Sequence, residues 1–301
     1  MGSIAEIVVS GLMFPEGPVW CDDGTVVCTS VPEGALYRIW PEQHRSERLA
    51  LTGGGANAAA PASDGGFLVT QNGGIDFSKT GLFPDPPPYR PATPGIQRVL
   101  PDGSASYLLD EGFRAPNDLV TAADGTVYFT DPPSFPPPPE PVGRVHALYA
   151  DGTTKVIASG FHYCNGIGLE PDGTIVIVEG KGLMRIHLDG SSEWIAKEVG
   201  AGADGFCVDQ DGNFYVAATS DHGIRVVDSG GAALDFYPIP PPPSGPVTVT
   251  NCCFGGRDGR TLFATDGIPG QLVAWEGMPV KGGAVHHWPV PSSDLEVRRA
   301  P

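Results

Sequence analysis

At 301 residues and 41% hydrophobic content, the chain is long enough to bury a sizeable core without help from disulfides. A formal charge of -17 leaves no basic footprint for a phosphate backbone, so nucleic acid is excluded as an expected partner. With 42 glycines, 32 prolines and 18% charged residues, turns are favoured over long helices, and no run of 18 apolar residues exists to cross a membrane as a helix.

The N-terminal "MGSIAEIVVSGLMF" has neither a basic leader nor a cleavable apolar core, which makes the cytoplasm the expected location. "FPEGPVW", from Phe14, opens the first predicted strand and leads to a turn at Asp23. The same unit, an Asp-Gly turn followed by a β-branched or aromatic run, then recurs: "CDDGTVVCTS", "ASDGGFLVTQ", "AADGTVYFTD", "EPDGTIVIVE", "DQDGNFYVAA" and "GRDGRTLFAT". Asp-Gly between such runs signals a hairpin whose two central residues both take φ > 0. The turn aspartates Asp23, Asp64, Asp124, Asp172, Asp211 and Asp258 lie 41, 60, 48, 39 and 47 residues apart, the length of a four-stranded propeller blade. Further Asp-Gly pairs at Asp102, Asp151 and Asp189 fall where an outer hairpin would turn. The expected fold is all-β: a six-bladed β-propeller with a central metal-binding channel, one domain over residues 1–301.

Seven residues before each turn aspartate stand Glu16, Asn57, Asn117, Asn165, Asp204 and Asn251, every one with a side-chain oxygen. Equal offsets in strands give equal height and face, and innermost strands line a propeller's channel, so these six predict a ring of oxygens there. Carboxylates and amides without histidine or cysteine suit one hard divalent cation, with calcium the first choice and Mn2+, Mg2+, Zn2+ or Fe2+ able to occupy the same site. Such an ion polarises a carbonyl. Loops that follow the second strands should overhang the ring. Two are long and proline-rich, at about 72–95 and 131–143, and their Phe77, Phe83, Tyr89 and Phe135 are expected to wall a pocket.

Six cysteines are expected as free thiols, with the adjacent Cys252 and Cys253 on opposite faces of a strand and so unable to share a zinc ion.

At "FPEGPVW", "RAPNDLV", "YFTDPP", "CNGIGLEPDG", "GADGFCVDQDGNFYVA" and "TNCCFGGRDGRTLFAT" the sequence resembles the gluconolactonase, regucalcin and luciferin-regenerating-enzyme family, over about residues 11–290. The resemblance implies a metal-dependent lactonase opening a small lactone to its hydroxy acid. It implies Glu16, Asn165 and Asp204 as metal ligands, Asn117 as either a further ligand or a residue that holds substrate through water, and Asp204 as general base. Asp131 of "YFTDPP" is a second candidate acid or base. Regucalcin-type members carry an arginine two residues before the blade-three asparagine; here that residue is Ala115, and Arg114 lies one further back. Arg114, His162 and Tyr163 are taken as substrate-facing. A monomer or weak homo-oligomer is expected. The competing readings are a non-catalytic calcium-binding propeller and a phosphotriesterase-like hydrolase, a class with a histidine near the last inner hairpin, where "FATDGIPG" has none.

Overall fold

The Asp-Gly repeats close hairpins, but not with two left-handed residues. In the computed structural model, which describes residues 4–290 and 298–299, the glycines alone turn left-handed: Gly24, Gly125 and Gly173 take φ of 81°, 86° and 88°. The first turn is typical, Gly24 N–H donating to Cys21 O at 3.0 Å and Cys21 N–H to Thr25 O at 2.8 Å. This is a type I turn completed by a left-handed glycine. The aspartate serves instead as a side-chain acceptor two residues on: Asp124 from Thr126 N–H and Asp172 from Thr174 N–H, each at 2.9 Å.

Six antiparallel sheets follow, as the repeat count predicts: five have four strands, and the second has a fifth, Arg298–Arg299, paired at its outer edge. Their innermost strands are Pro15–Trp20, Ala56–Pro61, Leu119–Thr121, Cys164–Leu169, Phe206–Val208 and Thr248–Gly255. Each leads outward through its neighbours in chain order. The sixth blade takes its outermost strand, Glu6–Ser10, from the start of the chain, paired with Gln271–Trp275. The propeller is thereby closed on itself, and the inner sheet edges face the channel.

Because both faces of a blade are covered by neighbours, second strands such as "IVIVE" (Ile175–Glu179) are buried along their length. Apolar clusters fill the interfaces. Val27, Leu36, Phe67 and Val69 lie between blades one and two, and Tyr215, Phe254 and Trp275 between five and six. A fully buried side chain such as Leu36 contributes about 2 kcal/mol. All six cysteines are free, and Cys252 and Cys253 enter separate clusters on the two faces of their strand. Among the described residues, two short 3-10 turns, Pro41–Gln43 and Phe77–Lys79, interrupt the strands. No helix among the described residues is long and apolar enough to cross a membrane.

Two local devices fix the heights of the inner strands. Threonines near the ends of second strands donate to the next blade: Thr29 Oγ1 to Asn57 O at 2.7 Å, Thr70 Oγ1 to Asn117 O, and Thr130 Oγ1 to Asn165 O at 2.6 Å. Glycines let the blades approach. A Cβ on Gly205 would stand 1.9 Å from the Asn251 side chain, and one on Gly166 would stand 2.6 Å from Asp204 O.

Candidate metal and active site

The six offset-matched residues stand at the head of the inner strands, where the chain enters the channel. Glu16, Asn57, Asn117, Asn165 and Asn251 are buried, and Asp204 is partly accessible. Glu16 Oε2 accepts from Gly17 N–H at 2.7 Å and from Asn251 Nδ2 at 3.3 Å. Asn57 Oδ1 accepts from Asn72 Nδ2 at 2.8 Å.

Asp118 joins this set, although the offset count does not reach it. Its Oδ2 accepts from Asn251 Nδ2 at 2.9 Å, so one amide ties Glu16 of blade one to Asp118 of blade three from blade six. A signal did exist in the sequence. Glu16, Asn165 and Asp204 are each followed by glycine, whereas Asn117 is followed by an acid.

Among the described residues, no cationic side chain is hydrogen-bonded or ion-paired to Glu16, Asp118 or Asp204. Burial, then the charges of Asp204 and Asp118, push the Glu16 carboxyl well above its usual range. Burial and the Asp118 charge do the same to Asp204, and burial raises Asp118 to about 7. Four buried oxygens, Asn117 Oδ1, Asp118 Oδ1, Asn165 Oδ1 and Asp204 Oδ1, have no hydrogen-bond partner among the described residues. Carboxylates that repel one another beside unpartnered amide oxygens form a donor set that fits a hard cation. Histidine, cysteine, aspartate and glutamate alone supply no group of three with metal spacing among the described residues; the set depends on asparagine carbonyls.

The remaining predicted residues fall at two levels. Asp131, at the end of the strand Val127–Asp131, is fully buried, and its oxygens are engaged by protein donors. Oδ1 accepts from Arg114 N–H at 2.8 Å and Ala115 N–H at 2.9 Å, while Oδ2 meets Arg144 and His146 Nε2, the latter at 3.3 Å. Arg114 and His162 are exposed. Glu179 holds the second segment as Asp131 holds the first, accepting from His162 N–H at 2.7 Å and Tyr163 N–H at 3.3 Å. Tyr163 faces inward. Burial and then the charge of Asp204 raise its phenol far above the usual range, with Glu16 and Asp118 also acting on it.

Aromatic side chains of both long loops pack against segments that lead into ring residues. Phe77 and Phe83 close around Phe14 at centroid distances of 4.9 and 6.0 Å, two residues from Glu16, while Phe135 meets Tyr163 at 5.9 Å. Phe14 is held at φ 44°, a strained conformation for a bulky residue. Tyr89 remains exposed. A histidine also reaches the end of blade six, though not from its own sequence: His222 Nε2 lies 3.1 Å from Asp266 Oδ2, which also accepts from Gln271 Nε2 at 2.9 Å.

A cavity of 710 Å³ occupies the channel on the side of the Asp-Gly hairpins, opposite the long loops. Asp118 and Asn251 lie in its lining with Ile167, Phe206 and Cys252, and residues 283–286 pass beside it.

Fold and site together define a six-bladed β-propeller with an acid-and-amide ring across its channel. The chain belongs to the SMP-30/gluconolactonase/LRE-like family, whose description matches residues 14–267. It is 28% identical over 291 residues to a gluconolactonase of Zymomonas mobilis, covering 86% of this chain and 77% of that protein. It is 28% identical over 256 residues to the lactonase drp35 of Staphylococcus aureus, covering 78% and 72%. The fold superposes on regucalcin of Agrobacterium tumefaciens, a calcium-binding protein, with a TM-score of 0.73 at 18% identity over 95% of this chain and 97% of that one.

Proposed function

We propose that this chain is a divalent-metal-dependent lactonase that hydrolyses a small lactone to its hydroxy acid. The lactone is that of a sugar acid or a less polar analogue. The relatives named gluconolactonase and lactonase support the reaction class. The observation that carries the metal dependence is the set of four unpartnered oxygens at Asn117, Asp118, Asn165 and Asp204 around mutually repelling carboxylates. Glu16, Asn117, Asn165 and Asp204 would hold the ion. Calcium is favoured by the all-oxygen donor set and by the description of the regucalcin neighbour.

When bound, the cation supplies Lewis-acid polarisation of the lactone carbonyl. Asp204, partly accessible and with Oδ1 unpartnered, takes the proton of the water that attacks the carbonyl carbon. The ring C–O bond then breaks, and the alkoxide oxygen leaves with that proton as the product hydroxyl. Asn117 orients the substrate, Tyr163 lines the approach between Phe135 and the ring, and Asp131 positions the segment that carries Asn117. Arg114 and His162 sit outside this wall and can meet only the outer part of a substrate. The six free cysteines suit a reducing, cytoplasmic compartment.

The test is proton release in weakly buffered dye with aldonolactones and simple alkyl lactones, before and after chelation and on return of calcium. Chelator-sensitive opening of at least one lactone is expected. Tight calcium binding with no turnover of any member would instead leave a calcium-binding propeller without catalysis.

A further inference from the structure

Two thiols in the channel wall are not used by the proposed chemistry. Cys207 Sγ and Cys252 Sγ are 3.4 Å apart, on the inner strands of blades five and six. Both residues line the 710 Å³ cavity on the hairpin side of the ring, and Cys207 is only partly buried. Cys253 does not join this pair, since it faces the opposite side of its strand, in a cluster with Val26, Cys28 and Phe263. Cys252 is further held by its N–H to Asn251 Oδ1 at 2.8 Å and by its thiol donating to Tyr215 O at 3.0 Å.

We propose that Cys207 and Cys252 form an oxidant-modifiable dithiol, closing to a disulfide that staples blades five and six beneath the ring. A disulfide needs its sulfurs at about 2.05 Å. The pair must therefore close by just over 1 Å, which rotation about the Cβ–Sγ bonds and a small strand shift supply. The oxidant is a peroxide that enters the cavity. One thiol sulfur attacks a peroxide oxygen, so that an S–O bond forms, the O–O bond breaks, and the departing hydroxide leaves as water with the thiol proton. The second sulfur displaces the sulfenic oxygen, forming the S–S bond and breaking the S–O bond, and that oxygen leaves as a second water with the second thiol proton. Two thiols have lost two electrons and the peroxide has gained them. Burial pushes the Cys207 thiol well above its usual range, which makes the closure slow compared with that of an exposed thiolate.

Cys207 lies three residues after Asp204 and Cys252 one after Asn251, so the staple joins two strands that carry ring residues. The test treats the full chain with hydrogen peroxide, followed by intact mass and a non-reducing peptide map. Expected are a loss of two hydrogens, one linked peptide pair containing Cys207 and Cys252, and a raised unfolding midpoint, all reversed by dithiothreitol. Cys207→Ala and Cys252→Ala, each with unchanged circular dichroism, should abolish the linked pair. Oxygen addition at either sulfur without a linked pair, a link through any other cysteine, or no change in mass would overturn the proposal. These readouts do not depend on lactone turnover, so their failure is separable from failure of the lactonase reading.

Discussion

Two buried acids on the same blade, Asp118 and Asp131, meet opposite electrostatic surroundings. Burial pushes Asp131 up, yet His146, the N–H groups of Arg114 and Ala115, and Arg144 together pull its carboxyl below the usual range. Asp118 is as deeply buried, but the groups turned toward it are neutral amides, Asn251 foremost and then Asn57, and it rises to about 7. Glu16 and Asp204 share its condition. Burial alone therefore does not separate the two sets; the supply of donors does. Asp131 and Glu179, at the ends of their second strands, are satisfied within the protein and serve to fix segments, Asp131 fixing 114–115 and Glu179 fixing 162–163. Acids of the ring are left short of positive charge, the condition a bound cation relieves.

That contrast is broken most directly by removing one acid from each set. Asp204→Asn should cut kcat by about 10³-fold while leaving the urea midpoint nearly in place, since it removes the base of the proposed mechanism and a repelling charge. Asp131→Asn should do the reverse: about 3 kcal/mol of stability lost in urea unfolding, because Arg144 and the buried His146 lose their shared partner, with a smaller effect on turnover. If the two variants exchanged these effects, the division into satisfied and unsatisfied acids would be wrong.

The next effect concerns pH in the chelated protein. Asp118 has a folded value near 7, above the ordinary carboxyl value of about 3.9 expected in the unfolded chain. The folded state thus keeps a proton that the unfolded state has given up. Its contribution to stability is fully present below about pH 4 and is lost as pH rises through about 7. Divalent cation favours the ionised ring, so the gap in unfolding midpoint between calcium-replete and chelated protein should widen between pH 5 and pH 8. Asp131 runs the other way. Its folded value is lowered, so its contribution is present above its unfolded value of about 3.9 and disappears as pH falls through the lower folded one. Asp131→Asn should therefore flatten the acid limb of the stability profile without altering the calcium-dependent gap.

The sequence disclosed the blades and the ring because both depend on spacing, which a strand preserves. The seven-residue offset from each turn aspartate reached Glu16, Asn117, Asn165 and Asp204 without any tertiary information. It missed Asp118, whose side chain enters the channel one residue past the offset, in the slot that glycine fills after Glu16, Asn165 and Asp204. The turns depart from the hairpin geometry that the dipeptide suggests. Asp-Gly can satisfy a type I turn with the aspartate as side-chain acceptor, so φ > 0 is needed only at the glycine. The partners of Asp131, Asp266 and Cys207 were not legible, because Arg144, His222 and Cys252 come from other strands at separations that no periodicity fixes. The 710 Å³ cavity on the hairpin side is likewise a product of blade packing rather than of any motif.

The smallest expected effect sharpens the comparison by separating ring position from ring charge. Thr130 Oγ1 donates at 2.6 Å to the backbone carbonyl of Asn165, linking blade three, which carries Asp131, to a ring residue of blade four. Thr130→Val keeps the shape and removes only that bond and the one that Oγ1 accepts from Asp118 N–H at 3.2 Å. The loss should be about 1 kcal/mol of stability. Since no ring oxygen is deleted, the variant should still bind calcium and still turn over lactone, with affinity weakened a few-fold because Asn165 is less firmly held. Calorimetric titration of the chelated variant with calcium measures this directly. An affinity equal to that of the unaltered chain would show that the threonine links set blade packing alone and leave the ring to position itself.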